Sequence, residues 1–107
     1  MSYTISFYNS SVQKEIDRWP TGIYAKFLRI AEQIEQSGPN LGLPYTRASG
    51  DGLFEIRAKG HEGIGRAFFC CVLDREVIIL HGFIKKTQKT PLKEIQLGRK
   101  RLKEIKK

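Results

Sequence analysis

The chain has 107 residues, 40% of them hydrophobic and 28% charged, with a formal net charge of +8. That length suits one domain with one core, and the composition excludes a low-complexity or disulfide-framework protein. The longest apolar run, Val77 to Leu80, falls far short of the ~20 residues that cross a bilayer. Met1-Ser2-Tyr3-Thr4 lacks the layout of a signal peptide, so a cytoplasmic protein without a membrane partner is expected.

In chain order, Tyr3 to Tyr8 carries the β-branched and aromatic content of a strand. Ser10-Ser11-Val12-Gln13 has the Ser-x-x-Gln spacing of a capping box and marks a helix start. Val12, Ile16 and Trp19 keep helical spacing until Pro20 interrupts. A second helix follows Thr21, with Ile23, Phe27, Ile30, Ala31 and Ile34 on one stripe. Ser37-Gly38-Pro39 stops it, and Asn40 to Gly52 reads as loop.

Three strands are predicted next. Leu53 to Lys59 puts Phe54, Ile56 and Ala58 on one face, with Glu55, Arg57 and Lys59 on the other. A turn at Gly60-His61-Glu62-Gly63 leads to Arg66 through Leu73. Asp74-Arg75-Glu76 then turns the chain into Val77 to Ile84, apolar enough to be a strand covered on both faces. The adjacent Cys70 and Cys71 point to opposite faces of their strand and read as buried packing residues. Thr90-Pro91 opens the last helix, with threonine as cap and proline as first residue. Leu92, Ile95, Leu102 and Ile105 mark its apolar side, and Gly98 weakens its interior. The order β-α-α-β-β-β-α makes residues 1–107 one small α+β domain, its helices packed on an antiparallel sheet.

Charge is distributed unevenly. Residues 1–54 balance Lys14, Arg18, Lys26, Arg29 and Arg47 against Glu15, Asp17, Glu32, Glu35 and Asp51, so the whole excess lies in residues 55–107. Such asymmetry within one small domain points to a polyanion-facing surface. The chain has two cysteines, two histidines and no spaced His/Cys/carboxylate cluster, so no metal or other cofactor is expected.

Leu53-Phe54-Glu55-Ile56-Arg57, Gly65-Arg66-Ala67-Phe68-Phe69 and the stretch His81-Gly82-Phe83-Ile84-Lys85-Lys86-Thr87-Gln88-Lys89-Thr90-Pro91 resemble the HigB-like, phage-associated branch of the RelE/ParE toxin superfamily. The likeness covers nearly the whole chain and its element order. It implies a RelE-like fold and the toxin of a type II toxin–antitoxin system, acting as a ribosome-dependent mRNA endonuclease. The partners it implies are the ribosome, mRNA and a cognate antitoxin, often one with a helix-turn-helix DNA-binding domain. ParE-like members share the fold and inhibit DNA gyrase, which is the alternative function.

Metal-independent RNA cleavage by the 2′-OH needs a base for that proton, cations against the charge developing on phosphorus, and a proton for the leaving oxygen. Arg66 is the first catalytic candidate, a guanidinium that can clamp a phosphate in a fork or else pair with Glu55. Arg57 is its companion, since a hairpin with Lys59 opposite Ile64 sets Arg57 opposite Arg66. Lys85 and Lys86 leave the last strand where the resemblance places basic catalytic residues, and like-charged neighbours can depress a lysine pKa into a useful range. Lys89 is a candidate phosphate contact. In the last helix Lys93, Arg99, Lys100, Arg101, Lys103, Lys106 and Lys107 meet only Glu94 and Glu104, which makes Lys100, Arg101 and Lys103 candidate RNA-binding residues. His61 in the turn, His81 in the apolar strand, and Tyr45, Phe68 and Phe83 as stacking platforms are weaker candidates. Several RelE-type enzymes use a catalytic tyrosine near the C-terminus, whereas this chain has none after Tyr45; either the lysines carry the proton transfers or the protein is not a nuclease.

Overall fold

The computed structural model describes residues 2–85 and 91–106. The expectations placed on Lys86, Lys89 and Thr90 lie outside the described residues. Strand β1 (Thr4–Phe7) leads into helices α1 (Ser10–Asp17) and α2 (Thr21–Ser37). A four-strand meander follows: β2 (Thr46–Gly50), β3 (Leu53–Gly60), β4 (Gly63–Val72) and β5 (Glu76–Lys85). Helix α3 (Leu92–Ile105) closes the chain, with Pro91 just before its first residue. The five strands form one sheet in the order β1-β5-β4-β3-β2. Neighbours in the meander run antiparallel, and β1 runs parallel to β5.

Two of these features correct the sequence reading. Strand β2 lies inside the segment read as loop. Thr46-Arg47-Ala48-Ser49-Gly50 has no apolar alternation because it is an edge strand with only Thr46 buried, and pairing with β3 rather than side-chain burial makes it a strand. The sheet is also mixed, not purely antiparallel, since the apolar pattern of β1 reports which face is covered and not which way its neighbour runs. A smaller correction concerns α1. Its cap is Asn9, extended at φ −158°, whose Oδ1 accepts the Val12 N–H at 2.9 Å; asparagine caps a helix as well as serine does, so Ser10 becomes the first helical residue.

The helices divide between the two faces. Val12, Ile16, Ile23, Phe27, Ile30 and Ile34 from α1 and α2 bury against Ile56, Ala58, Ala67, Phe69, Val77 and Ile79. On the opposite face Leu102 of α3 joins Leu53, Phe68, Cys70, Leu80 and Phe83. Cys70 and Cys71 thus serve opposite faces, as their adjacency predicts, and burial pushes the Cys70 thiol up to about 11. Gly98, poor for an isolated helix, is a close-approach position: a Cβ there would lie 3.2 Å from Cδ2 of Phe68.

Helix α2 has no side-chain cap of its own. Glu62 of the β3–β4 turn supplies one, its Oε2 accepting the Gly22 N–H at 3.2 Å. Beside this contact α1 and α2 press closely on β4, where a Cβ at Gly65 would sit 2.6 Å from both Ile23 Cγ2 and Trp19 Cζ3. Gly65→Ala is therefore expected to destabilise by about 1–3 kcal/mol, readable as a lowered urea midpoint with an unchanged slope.

Candidate nucleic-acid interface

Helix α3 covers only part of its face of the sheet. Strand alternation puts Glu55 and Arg57 of β3, Arg66 and Phe68 of β4, and Phe83 and Lys85 of β5 on that face. Pairing sets Arg57 opposite Arg66, Arg66 opposite Phe83, and Lys85 opposite Ile64. The first of these is the register expected from Lys59 opposite Ile64. From the far edge, Arg47 of β2 stands opposite Glu55. Four cations therefore gather round one carboxylate.

Glu55 is fully buried and Arg66 nearly so. Arg66 Nη1 donates to Glu55 Oε2 at 2.9 Å, and Arg47 Nη2 lies 3.3 Å from Glu55 Oε1. Lys85 is also buried. Its pKa lies below the ordinary lysine value, chiefly through burial and then through the Arg66 charge, with Glu55 opposing. Two buried donors, Nε of Arg57 and Nε of Arg66, have no hydrogen-bond acceptor among the described residues. A buried guanidinium N–H without an acceptor costs roughly 1–3 kcal/mol or more, so the cluster holds two donors that the described residues do not satisfy, beside one acceptor, Glu55 Oε1, that likewise lacks a hydrogen bond among them.

The remaining candidates are spread more widely. Lys100 and Lys103 are exposed on α3. Arg101 is committed to the protein: its Nη1 donates to the Leu80 carbonyl at 2.7 Å, and its guanidinium lies 4.8 Å above the Tyr8 ring. Arg99 donates to the Ser49 carbonyl at 2.8 Å and ties α3 to β2. His81 shares a 2.6 Å hydrogen bond with Glu94 in the first turn of α3 and stacks on Phe83. Phe68 is fully buried and packs against Phe83 at 5.9 Å between ring centroids, which leaves neither as an open platform for a base. His61 is exposed in the β3–β4 turn. Among the described residues no three His, Cys, Asp or Glu side chains converge to hold a metal ion, and none of the helices is long and apolar enough to cross a membrane.

Sequence reasoning missed Arg47 because its segment was read as loop. It treated Glu55 only as a competing partner for Arg66. The signal for both was register: once β2 pairs with β3, Arg47 faces Glu55, and the same strand carries Arg57 two residues on.

A family model for the phage-derived protein Gp49-like family matches residues 14–103. The chain belongs to that family. A chain of the archaeal RelE–RelB complex from Pyrococcus horikoshii, known from its crystal structure, superposes with a TM-score of 0.58 at 19% sequence identity, covering 80% of this chain and 98% of that one. The fold is thus RelE-like. A comparison with curated proteins finds no match.

Proposed function

We propose that this Gp49-like domain is the toxin of a toxin–antitoxin system, of the HigB-like branch, and that it cleaves mRNA on the ribosome. The observation that carries the reading is the cluster on the α3 face. Arg57 and Arg66 present buried Nε–H donors that have no acceptor among the described residues, beside Lys85 and around the Glu55 carboxylate. The oxygens of a phosphodiester fit that surplus, and charge growing on them during 2′-OH attack would be met by donors already in place. Lys85, with its lowered pKa, is the group best suited to move a proton. Lys86 and Lys89, which follow it in sequence, are proposed as further contacts to the RNA. Lys100 and Lys103 are proposed to hold ribosomal RNA, with Arg101 keeping their helix in place. A cognate antitoxin is the proposed protein partner, supported by the fold likeness to a chain taken from a complex with RelB.

Dependence on the ribosome is expected because the cluster offers cations generously but no histidine–carboxylate pair at its centre. On induction, new mRNA 5′ ends should appear within translated regions, and the purified protein should cut an mRNA only when ribosomes are supplied. Efficient cutting of naked RNA would overturn the ribosome dependence. Intact transcripts together with a supercoiling defect would assign the protein to gyrase inhibition.

A further inference from the structure

Helix α3 leaves a groove beside its last two turns, where it runs past the turn between β2 and β3. This groove of about 350 Å³ is bordered by Arg99, Leu102, Lys103 and Lys106 of α3 and by Asp51 of the turn. Both walls are fixed. Arg99 donates to the Ser49 carbonyl at 2.8 Å and to the Gly50 carbonyl at 3.3 Å, which ties helix to hairpin at one end. Gly50, Asp51 and Gly52 all take left-handed φ values, of 94°, 56° and 85°, so the turn is tight. A Cβ on Gly52 would lie 2.7 Å from Lys106 Nζ, so the lysine lies close along the backbone of the turn. Leu102 is buried and forms the floor. Lys103 and Lys106 are exposed, their methylene stems extending the apolar surface while their ammonium groups reach water.

The lining decides what such a groove can hold. None of its residues carries a buried polar atom left without a partner, so it lacks the convergent polar groups that orient a metabolite. Among the described residues no aromatic ring borders it on which a base could stack. A concave slot offers no protruding side chain to a bilayer, and a second copy of a chain carrying +8 would bring like charge to like. The rim matches a protein of opposite charge. Arg99, Lys103 and Lys106 recur at i, i+4 and i+7, a cationic stripe about 10 Å long on one flank of α3. The one acid of the lining, Asp51, is 95% exposed and stands 3.8 Å from Arg99. Lys103 and Lys106 form no ion pair among the described residues. A helix laid along this stripe, with acids at the same helical spacing, meets both lysines while an apolar side chain between the acids enters the slot over Leu102. Val72 and Ile105, both half-buried, pack on the same cluster as Leu102, so further apolar surface adjoins the groove.

We propose that the groove between α3 and the β2–β3 turn seats an acidic amphipathic helix of a partner protein, with an apolar residue over Leu102 and carboxylates on Lys103 and Lys106. Only the partner's identity rests on the toxin reading above, which makes it the antitoxin; Lys103 then serves either that helix or ribosomal RNA at any one time. The binding is tested without either, by fluorescence anisotropy of a labelled synthetic peptide of about 18 residues, five helical turns. The peptide carries leucine on one helical face and glutamate on the flanks of that face. Two control peptides replace every leucine by serine or every glutamate by lysine. The wild-type chain is expected to bind the first peptide and neither control. K103E/K106E is expected to bind it at least about tenfold more weakly, because two attractions become two repulsions. Asp51→Asn keeps a residue tolerant of left-handed φ and removes the one acid of the lining. It is expected to bind about two- to threefold more tightly and carries the test should the double variant melt early. Equal binding of the leucine and serine peptides would overturn the proposal, as would unchanged affinity in both variants or a wild-type chain that ignores the peptide. Loss of oligouridine binding in K103E/K106E with peptide binding intact would give this face to RNA and overturn it too. A chain that binds the peptide as stated but neither arrests growth nor cuts mRNA would refute the toxin reading and leave the groove assignment standing.

Discussion

Arg66→Ala is expected to cost about 3–5 kcal/mol of folding stability, the penalty typical of removing one partner from a buried ion pair. The residue lost is 2% exposed, and its partner Glu55 is fully buried. Once Arg66 Nη1 no longer donates to Oε2, the carboxylate keeps the ion pair with Arg47, at 3.3 Å and half in solvent. Glu55→Leu alone should also be costly, because it removes the one anion among Arg47, Arg57, Arg66 and Lys85. The double variant should be less destabilised than the two singles together, with a coupling of about 0.5–3 kcal/mol, because it removes both the orphaned carboxylate and one of the repelling cations. Urea unfolding of the four proteins measures this. Strictly additive losses would show that the pair is not coupled and that Arg66 is held by something other than Glu55. The same result decides how toxicity data are read: a harmless Arg66→Ala protein has lost its fold before it has lost a phosphate clamp, so Arg66 alone cannot identify the chemistry.

The parts of the fold legible in the sequence were those written in burial. The stripe Ile23, Phe27, Ile30, Ile34 gave α2, and the alternation Phe54, Ile56, Ala58 against Glu55, Arg57, Lys59 gave both faces of β3. The run from Val77 gave a strand that lies inside the sheet. Features set by backbone pairing were not legible. Edge strand β2 buries one side chain, and the parallel pairing of β1 with β5 joins segments some 70 residues apart, as in Thr4 beside Glu76, with no side-chain pattern to announce the direction. Gly98 shows the same limit in another form. Helix propensity marks it as a weakness, and only the closeness of Phe68 shows that the packing of α3 depends on it.

The candidate site divides in the same way. A register hypothesis sufficed to place Arg57 across from Arg66, because a hairpin fixes its partners once the turn is known. That Arg66 is almost wholly buried was not predictable, since an arginine next to apolar residues on a strand can equally lie on a solvated face. Arg101 was grouped with Lys100 and Lys103 by charge. In the structure it is a strut between α3 and β5, donating to the carbonyl of Leu80, the residue that the irregularity between Phe68 and Phe69 leaves without a partner in β4.

Arg57→Ala is the variant that tests the chemistry itself, and it is expected to slow ribosome-dependent mRNA cleavage by about 10²–10³-fold, the range for removing one preorganised donor to a developing oxyanion. Arg57 is half-buried, its Nε has no acceptor among the described residues, and it stands opposite Arg66 in the middle of the cluster. Its removal relieves repulsion without orphaning Glu55, which keeps its 2.9 Å bond to Arg66, so the thermal midpoint should stay near wild type while activity falls. Arg57→Lys should recover only part of the rate, since lysine restores the charge without the planar fork. A second readout follows from Lys85. Arg57 is one of the cations holding the Lys85 pKa down, after burial and Arg66, so its loss moves that pKa up towards the ordinary lysine value. Whichever limb of the pH–rate profile Lys85 governs, as acid or as base, should therefore shift to higher pH in Arg57→Ala. Cleavage at the wild-type rate would remove Arg57 from the machinery. A slowed reaction whose profile does not shift would keep Arg57 as a phosphate contact and take the proton transfer away from Lys85.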